Sequence, residues 1–97
     1  MYSVEISKFI STLNYQNIPQ EVISRAKELM LDCIGVGIAG SSEQSVQNAI
    51  KAIKNLPGSS GEYKIWGRNA KFAPNYAAMI NAISSHALDF DDTHTEA

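Results

Sequence analysis

The sequence predicts a mainly α fold of four helices with one short extended segment near residues 62–66. Apolar residues recur at three-and-four spacing in four separate stretches. Proline, glycine and capping residues stand between those stretches, and one stretch alone alternates at the strand period.

In the first stretch Ile6, Phe9, Ile10 and Leu13 line one helical face, with Ser3 available as a cap and an end near Asn14. The second begins at Ile18-Pro19-Gln20-Glu21, because proline in a first turn forfeits no intrahelical bond and Glu21 suits the positive helix end. Val22, Ala26, Leu29, Met30, Cys33 and Ile34 keep the period to Gly35 or beyond. The third covers about residues 42–55: Ser41 and Gln44 have capping-box spacing, Val46, Ala49, Ile50 and Ile53 form the stripe, and Pro57-Gly58 stops it. Pro-Gly-Ser-Ser-Gly is then turn chemistry, and Tyr63-Lys64-Ile65-Trp66 alternates as a strand does before Gly67. From Ala73 the helical period returns through Tyr76, Met79, Ile80, Ile83 and Ala87, failing near Asp89 where like charges meet the negative helix end.

The 97 residues carry 8 Lys plus Arg, 10 Asp plus Glu and a net charge of -2. A chain of this length buries roughly 60–65% of its unfolded surface, enough for one domain or part of one. Its weak charge supplies no phosphate-binding field, so no nucleic-acid partner is expected. Cys33, the single cysteine, excludes an internal disulfide and a thiolate zinc site of its own. The run from Cys33 to Ser42 is uncharged but spans half of the roughly 20 apolar residues of a membrane helix, and the N-terminus lacks the pattern of a secretory signal. A soluble, cytoplasmic protein without membrane contact is expected.

Four of the ten acids, Asp89, Asp91, Asp92 and Glu96, fall in the last nine residues, and no Lys or Arg follows Lys71. Carboxylates beside a helix C-terminus each lose a few tenths of a kcal/mol or more. Local rules broken without local compensation mark functional sites, so cations from elsewhere are expected to answer this patch.

Three constellations bear on chemistry. Gly35-Val36-Gly37-Ile38-Ala39-Gly40 matches the dinucleotide fingerprint, which needs a buried strand to deliver its glycines to a helix N-terminus. Residues 19–34 keep helical period, Asp32 would charge that strand, and Trp66-Gly67-Arg68 stands where a ribose-binding acid belongs. A glycine-rich helix end packed closely on its neighbours is favoured over a Rossmann unit built on Gly35, Gly37 and Gly40. Asp89-Phe90-Asp91-Asp92-Thr93 fits the D-x-D-x-T pattern of phosphotransferases resembling the haloacid dehalogenases, but residues 81–88 are helical where a strand must present the nucleophile. Asp89, Asp91, Asp92 and His94 offer donors to Mg2+ or Ca2+, yet the calcium-loop glycine and distal Glu are absent, and no metal is expected. His86 lies three residues before Asp89, where a shared helical face would let the pair hydrogen-bond.

Three blocks together resemble the start of the MmgE/PrpD family, the iron-sulfur-independent 2-methylcitrate dehydratases with their relatives cis-aconitate decarboxylase and iminodisuccinate epimerase. They are Ile18-Pro19-Gln20-Glu21-Val22 leading to Leu31-Asp32-Cys33-Ile34-Gly35 and Gly40; Ala73-Pro74 with Ala77-Ala78 and Asn81; and His86-Ala87-Leu88-Asp89-Phe90-Asp91-Asp92-Thr93. The last is the specific one. Ala82 departs from the glycine common in the family after the asparagine. The resemblance implies the N-terminal part of a longer helical domain, with a second, smaller α/β lid domain, no cofactor, a homodimer at full length and a small polycarboxylate as substrate. It places Asp89 in the active-site pocket as the catalytic residue of this stretch. His86, Asp91, Asp92 and Thr93 then belong to the motif without assigned roles, and the catalytic histidine is expected in a later His-Pro segment rather than at His94. The implied reaction is dehydration of a hydroxy acid such as 2-methylcitrate, as in propionate metabolism, and these 97 residues alone are expected to be inactive. The competing class is a non-catalytic helical module that binds a partner through unburied helix faces.

Overall fold

The computed structural model describes residues 1–90. Its elements are α1 (Tyr2–Thr12), a 3-10 turn (Tyr15–Asn17), α2 (Gln20–Gly40), α3 (Gln44–Lys54), β1 (Tyr63–Lys64), β2 (Lys71–Phe72) and α4 (Pro74–His86). The mainly α class and its four helices hold. The chain divides into two units, Met1–Met30 and the residues from Leu31 onward.

In the first unit α1 begins directly after Met1, so Ser3 lies inside the helix instead of capping it. Ile6, Phe9 and Ile10 do line one face, but they stay 57, 63 and 65% exposed, and α1 buries no residue. After α1 the Asn17 N–H donates to the Asn14 carbonyl at 3.0 Å, closing the 3-10 turn, and to the Asn14 side chain at 3.2 Å, which caps it. Pro19 stands just ahead of α2, its carbonyl taking the N–H groups of Val22 and Ile23. Glu21 sits in the first turn, as expected for an acid at the positive helix end.

The second unit holds the core: Val46, Ile53, Ile65, Phe72, Ala77 and Ile80 are buried, with Ile50, Tyr76 and Ile83 packed against them. α3 lays the predicted stripe Val46, Ile50 and Ile53 against α4. The Ser41–Gln44 capping box does not form. Ser41 Oγ instead donates back to the Ile38 carbonyl at 2.7 Å, completing the end of α2, and Glu43 takes the N-cap place without a side-chain bond. The extended segment is one arm of an antiparallel hairpin with Tyr63 opposite Phe72 and Lys64 opposite Lys71. Gly67 makes the reversal at φ +73°, a conformation that glycine adopts without steric cost. Ile65 and Phe72 drop from this hairpin into the core, each contributing about 1.5–3 kcal/mol by burial. α4 follows with Pro74 in its first turn and Ala77, Ile80 and Ser84 on its buried side, the spacing of one helical face.

The Gly35-Gly37-Gly40 run lies wholly within α2. A Rossmann unit needs those glycines between a strand and the start of a helix, so that alternative is excluded. The same holds for the phosphotransferase pattern, since the residues before Asp89 form α4 rather than a strand. Among the described residues no helix is long and apolar enough to cross a membrane.

Candidate active site at the end of helix α4

α4 ends at His86, and the chain turns immediately: the Ala87 N–H donates to the Ser84 carbonyl at 3.3 Å and the Asp89 N–H to the His86 carbonyl at 2.9 Å. Asp89 has φ +57°, the only non-glycine residue of positive φ among those described. That left-handed conformation costs most L-residues about 1–2 kcal/mol, while Asp and Asn visit it because their short polar side chains bond locally. A backbone exception at the residue singled out by motif is an observation independent of the motif. The helical face expected to join His86 and Asp89 stops at His86, and one link between them is the main-chain bond just given. Asp89 and His86 are exposed, and Phe90 beside them is 69% exposed. Asp91, Asp92, Thr93 and His94 lie outside the described residues.

The last turn of α4 has a fitted seat on α2. A side-chain carbon on Gly40 would overlap the Ser84 carbonyl and crowd the Ala87 Cβ at 3.3 Å. At Gly37 it would overlap the Trp66 ring and meet Ser85 Oγ at 3.2 Å. Gly35, by contrast, faces open space. Two of the fingerprint glycines are therefore a seam that lets two helices approach at backbone distance, as the glycine-rich helix-end reading expected. Ser85 Oγ donates to the Asn81 carbonyl at 2.9 Å and lies 3.7 Å from Cys33 Sγ, tying α4 to α2 a second time. Ser84, 1% exposed, has no hydrogen-bond partner for its hydroxyl among the described residues.

Two cations of the hairpin are engaged. Arg68 Nε donates to the Ser41 carbonyl at 2.9 Å, where the dipole at the end of α2 favours positive charge. Lys71 Nζ lies 3.6 Å from Glu62 on an exposed surface. Among the described residues no group of three or more His, Cys, Asp and Glu is placed to hold a metal ion. Periodicity did not find Trp66 or Asn81 as parts of this seat. The available signal was an amide side chain in the middle of an Ala- and Ile-rich helix, where its propensity is poor.

Residues 4–97 match the family model of the MmgE/PrpD N-terminal domain. The chain is 33% identical over 95 residues to the cis-aconitate decarboxylase-like protein oryM of Aspergillus oryzae, covering 98% of this chain and 20% of that protein. It is 32% identical over 85 residues to the cis-aconitate decarboxylases of Mus musculus and Homo sapiens, covering 87% of this chain and 17% and 18% of theirs. The chain thus spans about a fifth of the length of the curated relatives it matches. No solved structure matches it.

Proposed function

The chain belongs to the MmgE/PrpD family, and from that premise we propose that it is the N-terminal part of a lyase acting on a small polycarboxylate. The observation that carries this reading is Asp89, the aspartate of the family-like H-x-L-D-F-D-D-T string, held in a left-handed turn at the end of a helix seated on glycines. Dehydration of a hydroxy acid such as 2-methylcitrate requires a base to take a weakly acidic C–H proton, an acid to protonate the departing hydroxyl, and cations for the substrate carboxylates and the developing enediolate. An ionised Asp89 repels those carboxylates. Its role is to orient a histidine supplied from outside the described residues and to raise that histidine's basicity, as a carboxylate does for imidazole. The relatives' names favour a second reading within the same class: carbon dioxide leaves cis-aconitate, and the electron pair left on carbon is protonated by the same histidine.

The test uses the longest natural polypeptide that carries these residues, with Asp89→Asn beside the unaltered protein. Water loss from 2-methylcitrate and carbon dioxide release from cis-aconitate are followed separately. Asp89→Asn keeps a residue suited to the turn and removes the charge, so turnover falls by about 10²-fold or more, the usual weight of acid–base assistance, with thermal stability preserved. Unchanged turnover overturns the assignment, and the acid consumed by the unaltered protein decides between the two reactions.

A further inference from the structure

We propose that Asn81 is a positioning residue for Asp89, acting through the hairpin and Trp66; the inference rests on the lyase reading of the site. In an antiparallel strand successive residues turn their backbone groups to opposite sides. The Ile65 N–H faces β2, donating to the Ala70 carbonyl at 3.4 Å, so the Lys64 carbonyl and the Trp66 N–H face away from it. Those two groups would be the bare edge of the hairpin. Asn81 closes it from α4: its Oδ1 accepts the Trp66 N–H at 2.9 Å and its Nδ2 donates to the Lys64 carbonyl at 3.4 Å. A primary amide supplies that donor and acceptor side by side, as a third strand would.

The bond matters because of what Trp66 touches. Its ring fills the space that a side chain on Gly37 would need, and Ser85 Oγ borders the same spot. Gly67, the next residue, lies against Ser41 and the Ile38 carbonyl at the end of α2. Asn81 therefore fixes a wedge between α2 and the final turn of α4, one residue before His86. Releasing the wedge displaces the turn that holds Asp89 while leaving the binding surface itself unaltered.

The prediction is a split between kcat and KM in the longest natural polypeptide. Asn81→Asp keeps the size and the acceptor for Trp66 but loses the donor, and Asn81→Ala loses both. Each lowers kcat about tenfold or more with KM within about twofold, since a displacement of 1 Å at a reacting group costs up to about 10²-fold. Ile53→Val, in the core on α3, serves as the stability control: it lowers the melting temperature and leaves kcat in place. If Asn81→Ala does not fold, Asn81→Asp is read in the same way. An unchanged kcat, or one that falls only in step with melting temperature as in Ile53→Val, overturns the proposal. If the unaltered protein turns over neither acid, the lyase reading fails, and hydrogen exchange decides the positioning claim alone. Loss of protection at the Trp66 and Asp89 amides together in Asn81→Ala, or in Asn81→Leu should the alanine variant not fold, supports it, and unchanged protection at Asp89 overturns it.

Discussion

Substituting alanine at each glycine of the α2 run turns the seam into a measurable order of stabilities. At an open helical position alanine is favoured over glycine by about 0.8–1 kcal/mol, and among the described residues a side-chain carbon on Gly35 would meet nothing within 4 Å. Gly35→Ala is therefore expected to stabilise by nearly that amount. At Gly40 the new carbon overlaps the Ser84 carbonyl, which is backbone and cannot rotate away. Overpacking of that kind costs about 1–3 kcal/mol, and the propensity gain is small because Gly40 is the last residue of the helix. Gly37→Ala falls between, since its obstacle is the Trp66 ring, a side chain with rotatable bonds. The gap between Gly35→Ala and Gly40→Ala is about 2–4 kcal/mol, the sum of the two effects. Equilibrium urea unfolding reads it, with Trp66, the single tryptophan, as the fluorescent reporter against Gly37. For a domain of this size about 1 kcal/mol moves the melting temperature by about 4–8 °C, so thermal unfolding resolves the same order. Equal midpoints for all three variants, or a Gly40→Ala protein more stable than Gly35→Ala, would refute the seam.

The remaining expectations concern single sites. Asp89→Ala destabilises by about 1 kcal/mol because alanine resists the left-handed turn, while Asp89→Gly does not; chemical denaturation distinguishes them. Ser84→Ala removes a buried hydroxyl that has no partner among the described residues and raises the urea midpoint by the equivalent of about 1 kcal/mol, the low end of the cost of such a group. Ile80→Ala, at the fully buried centre of α4, costs about 2–5 kcal/mol and is read in the same way. Added NAD or FAD leaves the melting temperature unchanged, since the fingerprint glycines are interior to a helix; a saturable rise would contradict that placement.

Periodicity carried the helices because each buried stripe repeats within one element: Val46, Ile50 and Ile53 are local facts that local sequence displays. The misses came from distant partners. Ser41 looked like a cap for α3, but its hydroxyl and its carbonyl are claimed by Ile38 and by Arg68, 27 residues away. The second hairpin arm, Lys71–Phe72, is two residues long, too short to show alternation. The 3-10 turn was legible in principle, since Asn14 offers an acceptor three residues ahead of the N–H it binds. Asp89 breaks a charge rule in its own neighbourhood, which sequence displays, whereas Asn81 serves residues 15 and 17 positions earlier and shows locally only as an amide in the middle of an apolar helix. Asp91, Asp92 and Thr93 stay as motif positions outside the described residues.

The seat of α4 also orders the events of biosynthesis. Cys33, Gly37, Gly40, Trp66 and Asn81 all precede Asp89 in the chain, so each is made before it. Chains leave the ribosome at about 5–20 residues per second, N-terminal end first. A hairpin closes in about 1–10 μs, far faster than the next residue is added. The glycines of α2 and the Trp66 wedge are thus synthesised before the last turn of α4, so the contacts that seat this turn are made with sequence that precedes Asp89.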